Sequence, residues 1–337
     1  MPSLPTHTRT TVRRAVHGPA PRQRPGRDRR AAHIVVLGDL ALDVVVEPGR
    51  ALVAGSDVAG SVSLRQGGSA ATTARVLAGL GLRATLVAAV GRDPIGRALV
   101  RDLSAAGVTV RAARPGVGRT ARIAVVLSGG ERSFVADRGL ADALAPEHLS
   151  ESWFAAVRAL HLPAYSLLTE PLASAAGRAV ELTRSNGGAI SVDLASTEPL
   201  LAGGRRKALA LIDAIAPDLL FATAAEAHAL LGGAGPDALL RLAPTAVVKR
   251  GSAGATVVAR RDVAGAGVLR FDVATRPLPP VDPTGGGDAF DAGFLSVWAT
   301  ATASERNSVA ILRRAAVAAN QAAARLLAGA RPELALS

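Results

Sequence analysis

The sequence predicts an α/β protein, a three-layer α/β/α sandwich with a mostly parallel central sheet and a small β-strand lid. Two observations lead to this prediction. Short apolar runs, each the size of a buried strand, alternate with helical stretches of about 10–15 residues, which is typical of βαβ units. The segments 51–64 and 121–135 instead alternate apolar and polar residues, which predicts antiparallel strands outside the main sheet.

The first part of the chain contains three predicted main-sheet strands and two helices. The strands lie at 34–37, 84–90 and 108–110, and the helices at 69–80 and 95–106. Asp93 and Pro94 predict the start of the second helix, because Asp is a good N-cap and Pro fits the first helical turn. Gly107 predicts where that helix ends.

The second part of the chain continues the alternation. Strands are predicted at 159–162, 190–192, 219–221 and 246–248, with helices that include 171–184 and 224–231. From Gly285 to about Leu327 the pattern is helical. Since no repeat and no long linker divides the chain, we predict one domain at 33–330, with its lid at about 51–65 and 119–136.

The N-terminal 32 residues differ from the rest of the chain in charge. They hold eight arginines and one acid, in a chain of 337 residues with a formal net charge of +12. We predict a disordered Arg-rich tail at 1–32; weak binding of polyanions is the alternative. Because most of the charge excess lies in this tail, we do not expect a nucleic-acid partner.

Composition excludes several classes of protein. The chain has no cysteine, so disulfides, thiolate metal sites and a cysteine nucleophile are excluded. The uncharged stretch at 292–304 is shorter than the roughly 20 residues that span a bilayer, so we expect a cytoplasmic protein without a membrane partner. No Walker-type lysine and no G-x-S-x-G elbow occurs.

The segment 282–290, D-P-T-G-G-G-D-A-F, carries the clearest chemical signal. Three consecutive glycines lead into an apolar helix, so the backbone can approach a ligand closely and point its N–H groups inward. The helix N-terminus adds partial positive charge, which makes an anion hole suited to a phosphoryl group. Asp288 fits the base that phosphoryl transfer to a hydroxyl requires. From spacing alone, Asp288 as a simple helix N-cap is an equal alternative.

This segment resembles the C-terminal motif of the ribokinase/PfkB carbohydrate kinases. Other segments resemble further family motifs in the family's order: G-G-S-A-A-T-T-A from Gly67, V-G-R-D-P-I-G from Val90, G-E-R-S from Gly130, and the regions 218–231 and 247–254. Together the matches cover about residues 33–330. The resemblance implies a ribokinase-like sandwich with substrate between sheet and lid. It also implies Mg²⁺-ATP-dependent phosphorylation of a hydroxymethyl group on a sugar or sugar-like substrate.

The resemblance assigns catalytic and cation roles to matching residues. Asp288 is implied as the catalytic base, and the anion hole would be formed by Gly285, Gly286 and Gly287. Asp282 and Thr284 occupy positions where many relatives bind a monovalent cation, so K⁺ is a candidate activator. The alternative to cation binding is that Asp282 only fixes the turn. Glu226 would help to place Mg²⁺ through water.

The resemblance also indicates substrate residues. Asp43 resembles the family's sugar-binding aspartate, and a carboxylate can accept hydrogen bonds from two hydroxyls. Asp39 would help Asp43 to bind the sugar, or would only order the loop. Gly67 and Gly68 would let the backbone approach the sugar closely. Two more candidates are Thr72 and Arg138. Arg138 would favour an acidic or phosphorylated sugar, with a salt-bridged or solvated arginine as the alternative.

The implied nucleotide-binding residues are Lys249, Gly251, Gly254 and Asn320. The alternative for Lys249 is a lysine that simply ends a strand, and the alternative for Asn320 is an asparagine on the surface of a helix. Two positions depart from the family pattern, since Thr72 and Thr223 stand where relatives carry asparagine. These departures would shift substrate choice or weaken metal binding, but they leave the base and the anion hole in place.

Two other functions and one assembly remain open at this stage. A nucleoside kinase on the same fold needs an apolar wall for its base, which one Tyr and six Phe mildly disfavour. A non-catalytic sugar or nucleotide sensor is motivated by the two threonines and opposed by Asp288. Because open strand edges in a lid often pair between subunits, a homodimer through the lid is expected.

Overall fold

The computed structural model describes residues 32–128, 131–260, 267–276 and 283–336. The strands are β1 (His33–Leu37), β2 (Ala41–Pro48), β3 (Gly60–Gly67), β4 (Arg83–Ala89), β5 (Thr109–Ala113), β6 (Ala121–Ser128), β7 (Glu131–Asp137), β8 (Ala159–Pro163), β9 (Ala189–Asp193), β10 (Leu219–Thr223), β11 (Thr245–Lys249), β12 (Ala255–Arg260) and β13 (Val268–Val273). The α-helices are α1 (Ser69–Gly79), α2 (Pro94–Ala105), α3 (Leu172–Ser185), α4 (Thr197–Leu201), α5 (Arg205–Ile215), α6 (Ala224–Leu231), α7 (Gly286–Trp298) and α8 (Val309–Ala328).

The central sheet has nine strands in the order β13-β12-β11-β10-β9-β8-β1-β4-β5. The pairs from β11 to β5 are parallel, and β12 and β13 add antiparallel strands at one edge. From β1 the chain winds towards β4 and β5, whereas β8 starts the half that winds the other way. In open α/β sheets such a switch point leaves a crevice at the carboxyl ends of the strands, where ligands bind.

Helices cover both faces of this sheet, which confirms the predicted three-layer sandwich. Successive side chains of β1 point to opposite faces, as a strand requires. Ile34 and Val36 pack with residues of α1, α2, α7 and α8, while Val35 and Leu37 pack with residues of α3, α5 and α6. All four β1 side chains are fully buried. Their uninterrupted apolar run therefore reflects burial on both sides of a parallel sheet.

A second sheet of four strands, in the order β3-β2-β6-β7, forms the lid. The prediction of antiparallel strands at 121–135 is confirmed, because this segment forms β6 and β7. The segment 51–64 contains only the start of β3, and its partner is β2, which was not predicted. Gly55 lies in a turn at φ 74°, so the chain reverses between β2 and β3 instead of extending as one strand.

The predicted C-terminal helix is divided in two. α7 ends at Trp298 and α8 begins at Val309, where the Ser308 hydroxyl accepts the Ile311 N–H at 3.3 Å. Between them, Thr302 donates its hydroxyl to Glu305 in a separate turn. Glu305 Oε2 also accepts the Thr302 N–H at 3.2 Å. Local bonds between side chain and backbone, such as this one and the one at Ser308, offer the chain an alternative to a continuous helix. Within the residues that the structure describes, no helix combines the length and apolarity needed to cross a membrane.

The contact between α7 and α8 gives a test of the packing. A Cβ added at Gly293 would lie 2.7 Å from the Ala318 carbonyl oxygen and from Ala322 Cβ. We predict that Gly293→Ala lowers the free energy of unfolding by about 1–3 kcal/mol, because overpacking outweighs the gain in helix propensity. Gly177→Ala in α3 is the matched control, since no atom lies within 4 Å of its added Cβ.

Chemical denaturation measures both variants. The control should gain about 0.5–1 kcal/mol, as an unstrained helical glycine-to-alanine change does. Equal stabilisation of the two variants would contradict the close packing of α7 on α8.

Candidate active site

The candidate site lies at the carboxyl edge of the central sheet, where several strands end in polar residues. Asp39 follows β1, Asp193 ends β9, Thr223 ends β10 and Lys249 ends β11. The N-terminus of α7 lies at the same edge, since Gly287 approaches Lys249. Parallel strands bring their carboxyl ends to one side of the sheet, so residues far apart in sequence meet in one crevice.

The glycine turn before α7 is shaped for close approach. Gly285 is the N-cap in the left-handed conformation, with φ 79° and no side-chain cap. A Cβ at Gly285 would lie 3.1 Å from the Thr72 methyl carbon, and one at Gly287 would lie 3.4 Å from Lys249 Nζ. Gly286 opens α7 between them. A ligand can therefore come close to the backbone at the α7 N-terminus, which carries partial positive charge. Side chains at these glycine positions would narrow that space.

Asp288 sits in the first turn of α7 and does not cap it. Its Oδ1 accepts a hydrogen bond from the Ser69 hydroxyl at 2.5 Å. The residue is partly exposed, although its carboxyl is surrounded by protein atoms. Removal from bulk water raises the pKa of Asp288 to about 7, and the charges of Asp193 and Asp39 add to the rise. Ser69 and Lys249 act in the opposite direction.

Lys249 forms a buried ion pair with two carboxylates. Its Nζ lies 2.8 Å from Asp193 Oδ1 and 3.2 Å from both oxygens of Asp291. Burial by itself would lower the pKa of Lys249, but Asp193, Asp291 and Glu226 raise it far above its ordinary value. Burial also raises the pKa of Asp291, with Asp193 adding to the effect. The lysine therefore stays charged under the glycine turn.

Thr223 and Glu226 form a reciprocal cap at the start of α6. The Thr223 hydroxyl accepts the Glu226 N–H at 3.2 Å, and Glu226 Oε2 accepts the Thr223 N–H at 2.7 Å. Burial raises the pKa of Glu226, and the charge of Asp193 adds to that rise. Threonine thus replaces the expected asparagine with a residue that fixes this turn. The Mg²⁺ role of Glu226 stays a prediction.

Asp39 and Arg138 form an ion pair near the switch point. Arg138 Nη1 lies 3.1 Å from Asp39 Oδ2, and its Nη2 lies 2.6 Å from Asp142 Oδ1. The guanidinium also lies 5.6 Å from the centre of the Tyr165 ring. Asp39 Oδ1 accepts the Ala70 N–H, so this carboxylate orders the loop that enters α1. These contacts match the alternative of a salt-bridged arginine for Arg138 and the alternative of a loop-ordering residue for Asp39.

Asp43 belongs to the lid strand β2 and packs against the glycine pair. A side chain at Gly67 would overlap the Asp43 carboxylate, and one at Gly68 would collide with the Asp39 carbonyl oxygen. Asp43 Oδ2 lies 3.5 Å from Arg331 Nη1. Thr72 lies on α1 beside Gly285, so this predicted substrate residue borders the glycine turn.

A groove of about 830 Å³ joins the glycine turn to the predicted nucleotide-binding residues. Its lining includes Gly286, Gly287, Lys249, Gly251, Gly254 and Asn320. The Asn320 amide donates to the Ala274 carbonyl oxygen at 3.2 Å, which fastens the end of β13 to α8. The volume lies within the range of small-molecule and cofactor sites.

Sequence patterns did not single out three residues of the site, namely Ser69, Asp193 and Asp291. Asp193 directly follows a predicted strand, and that position was a usable signal. Asp291 lies one helical turn after Asp288, a spacing that places both on one side of a helix. Asp282 lies outside the described residues, and Thr284 lies in the turn before α7. Of the described residues, no group of three or more His, Cys, Asp or Glu could hold a metal ion.

Comparisons with known proteins point to one family. The model of the pfkB family carbohydrate kinases matches residues 31–333. A fructokinase of Klebsiella pneumoniae is 33% identical over 276 residues, which cover 78% of this chain and 83% of that protein. An ATP-dependent ribose-1-phosphate kinase of Halopiger xanaduensis is 32% identical over 238 residues, 69% of this chain and 73% of that protein.

Solved structures show the same fold. An adenosine kinase from Sinorhizobium meliloti has a TM-score of 0.76 and 23% identity, and the match covers 91% of this chain and 97% of that one. A fructokinase from Vibrio cholerae O395, with fructose, ADP and calcium ion bound, has a TM-score of 0.70 and 22% identity. That match covers 88% of this chain and 93% of the other.

The buried ion pair at Lys249 gives a test of the site's construction. We predict that Lys249→Met lowers the free energy of unfolding at pH 7 by about 3–5 kcal/mol, because it leaves Asp193 and Asp291 buried without a cation. The deficit should shrink at lower pH, where protonated carboxyls need no counter-charge. Denaturant titration of Lys249→Met and wild type at several pH values measures this.

Lys207→Met is the matched control, because Lys207 is exposed on α5. Its stability should stay within about 0.5 kcal/mol of wild type. An equally small change for Lys249→Met would contradict the ion pair.

Proposed function

This chain belongs to the pfkB family of carbohydrate kinases, and we propose that Asp288 is the base with which it phosphorylates a hydroxymethyl group of a sugar. The γ-phosphate of ATP is the group transferred in this proposal. Gly285, Gly286 and Gly287 form the anion hole that receives it. The chain is a carbohydrate kinase, and the identity of its sugar is the narrower question.

One observation carries the proposal: a carboxyl with a pKa near neutrality lies where the two halves of the crevice meet. On one side Asp288 contacts Ser69 of the glycine-pair loop. On the other side Gly286 and Gly287, which precede it in α7, line the nucleotide groove. A base with a pKa of about 7 is half ionised at neutral pH and has a useful affinity for a proton.

Each group of the chain has its own role in the proposed reaction. Asp288 takes the proton from the attacking hydroxyl as the oxygen approaches phosphorus. The glycine turn and the α7 N-terminus offer positive potential to the phosphoryl oxygens. Lys249 adds a fixed positive charge beneath Gly287. Asp43, with Gly67 and Gly68, would hold the sugar so that its hydroxyl faces Asp288.

The residues present fit a nucleotide-bound Mg²⁺. Glu226, Asp193 and Asp291 all lie near Lys249, and carboxyl oxygens are the ligand class that Mg²⁺ prefers. Without an all-protein cage in the described residues, the ion would be held by phosphate and water, with Glu226 oriented by Thr223. When bound, Mg²⁺ neutralises charge on the phosphates. K⁺ at Thr284 and Asp282 is part of the same proposal.

Two further elements belong to the proposal. The likeness in fold to an adenosine kinase favours a nucleoside as the second candidate substrate. A homodimer through the lid is the proposed assembly, and Val62 and Val135 on its two edge strands are 65% and 71% exposed.

The test is ADP release from Mg²⁺-ATP across a panel of sugars, sugar acids and nucleosides, with and without K⁺. We expect one class to raise ADP release in the wild type. Asp288→Asn should lower kcat by about 10²–10⁴-fold, because an amide cannot accept the proton. Asp213→Asn, on the exposed surface of α5, is the control and should match wild type.

Calorimetric titration with ATP accompanies the kinetics. Asp288→Asn should still bind ATP, because the groove residues are unchanged. A kcat within tenfold of wild type would contradict the role of Asp288. Binding of ATP without ADP release for any substrate would favour the sensor over the kinase.

A further inference from the structure

The helix α1 contacts Asp288 at two points, and the proposed reaction gives neither contact a role. The Ser69 hydroxyl donates to Asp288 Oδ1 at 2.5 Å. The Thr73 hydroxyl lies 3.5 Å from the Asp288 carbonyl oxygen, which is long for a hydrogen bond. Ser69 and Thr73 are four positions apart, so both lie on the side of α1 that faces Asp288. A helix other than its own therefore contacts both the side chain and the backbone of Asp288.

The bond from Ser69 makes the two oxygens of the Asp288 carboxyl unequal. Its length of 2.5 Å is that of a hydroxyl donating to an ionised carboxylate, and such bonds are stronger than neutral ones. The last side-chain torsion of an aspartate is otherwise broad, with two nearly equivalent orientations. Because Ser69 binds Oδ1, it selects one of these orientations.

The other oxygen, Oδ2, lies towards the glycine turn. A Cβ added at Gly285 would lie 3.9 Å from Asp288 Oδ2. Of the residues that the structure describes, none donates a hydrogen bond to this oxygen, whereas Oδ1 accepts the one from Ser69. The selected orientation therefore leaves Oδ2 available on the side of the proposed anion hole.

Ser69 is itself fixed by contacts with the segment that follows β1. It is the first residue of α1, directly after Gly68 at φ 96°. The next two N–H groups, of Ala70 and Ala71, donate to Asp39 Oδ1 at 3.2 Å and to the Asp39 carbonyl oxygen at 3.3 Å. A side chain at Gly68 would collide with that carbonyl oxygen. The α1 N-terminus, and with it the Ser69 hydroxyl, is therefore held at a defined place beside the central sheet.

We propose that Ser69 is a positioning residue, which binds Oδ1 of Asp288 so that Oδ2 accepts the proton of the attacking hydroxyl. The inference rests on the proposed function, since it concerns which oxygen of the base reacts. In that step the O–H bond of the substrate breaks and its proton passes to Oδ2. The substrate oxygen bonds to the γ-phosphorus, and ADP leaves with the electron pair of its bond to that phosphorus. Holding one oxygen keeps the other aligned, and a misplaced base would lower the rate.

The same hydrogen bond favours the ionised form of Asp288. Burial raises the pKa of this carboxyl to about 7, and the bond from Ser69 opposes the rise. Loss of the Ser69 hydroxyl should therefore raise the pKa further, because the other groups that interact with this charge stay in place. These groups are Asp39, Asp193, Lys249, Asp291 and Tyr165.

Ser69→Ala tests the proposal in the protein without ligands. An infrared pH titration follows the carbonyl stretch of protonated Asp288, isolated in each background by subtracting the spectrum of the same background with Asp288→Asn. We expect the midpoint in Ser69→Ala to lie about one pH unit above that of wild type. Ser104→Ala, on the exposed surface of α2, is the control and should leave the midpoint unchanged.

Kinetics with a substrate of the wild type separate positioning from a structural role. In Ser69→Ala the acidic limb of kcat/KM should move up by the same amount as the infrared midpoint, because both report the free enzyme. On the plateau above that limb, kcat should fall by on the order of tenfold, while KM for ATP changes by less than about twofold. Ser69→Thr keeps the hydroxyl and should recover both the limb and the plateau.

An unchanged midpoint or an unchanged plateau kcat in Ser69→Ala overturns the inference, and if Asp288→Asn is inactive the proposed function still stands. Full activity of Asp288→Asn contradicts the proposed function, and the inference fails with it. If Ser69→Ala does not fold, Ser69→Cys replaces it, because a thiol of similar size is a weaker donor. Its midpoint should also rise, by less than in Ser69→Ala, and an unchanged midpoint overturns the inference. If no substrate is turned over, the titration alone decides: a raised midpoint supports the inference and an unchanged one overturns it.

Discussion

The buried ammonium of Lys249 is the contact on which the rest of the site depends. It lies between Asp193 at the end of β9 and Asp291 of α7, so it joins the central sheet to the helix that carries the glycine turn. Asp288 and Glu226 stand close enough for their charges to interact with this group. Burying several carboxylates at one strand edge is costly unless a cation compensates them. The lysine supplies that compensation, and its charge opposes the rise to about 7 that burial causes in the pKa of Asp288.

This electrostatic arrangement connects the two ends of the crevice. The groove proposed for the nucleotide ends at Gly286 and Gly287, while the lid strand β2 and the Gly67–Gly68 pair bring Asp43 and Ser69 from the other side. Asp288 lies between them because α7 begins at the sheet's switch-point edge. The fold thus brings the proposed proton acceptor, the positive potential of the α7 N-terminus and the proposed sugar-binding carboxylate to one edge of the sheet. Such positioning is the main source of catalysis in phosphoryl transfer.

Sequence patterns predicted the features that depend on local chemistry. The buried strands of the central sheet follow from apolar runs such as 34–37 and 219–221, and the Asp288 region follows from three glycines before an apolar helix. The partners of Lys249 could not be found in this way, because Asp193 and Asp291 lie 56 and 42 positions away in the chain. The strand β2 was missed because its pairing with β3 depends on a turn around Gly55. The contact between Leu334 and the lid strand β3 was also missed, because residues so far apart in the chain share no local sequence pattern.

The central claim is that protein surroundings hold the Asp288 carboxyl near neutrality, and an infrared pH titration tests it directly. The carbonyl stretch of the protonated carboxyl is isolated as the difference between wild type and Asp288→Asn, without ligands. Burial raises the pKa, so the group is protonated below about pH 7 and becomes a competent base above it. We predict a band that loses half its intensity near pH 7. Absence of the band at every pH above about 5, as for an ordinary aspartate, would contradict it.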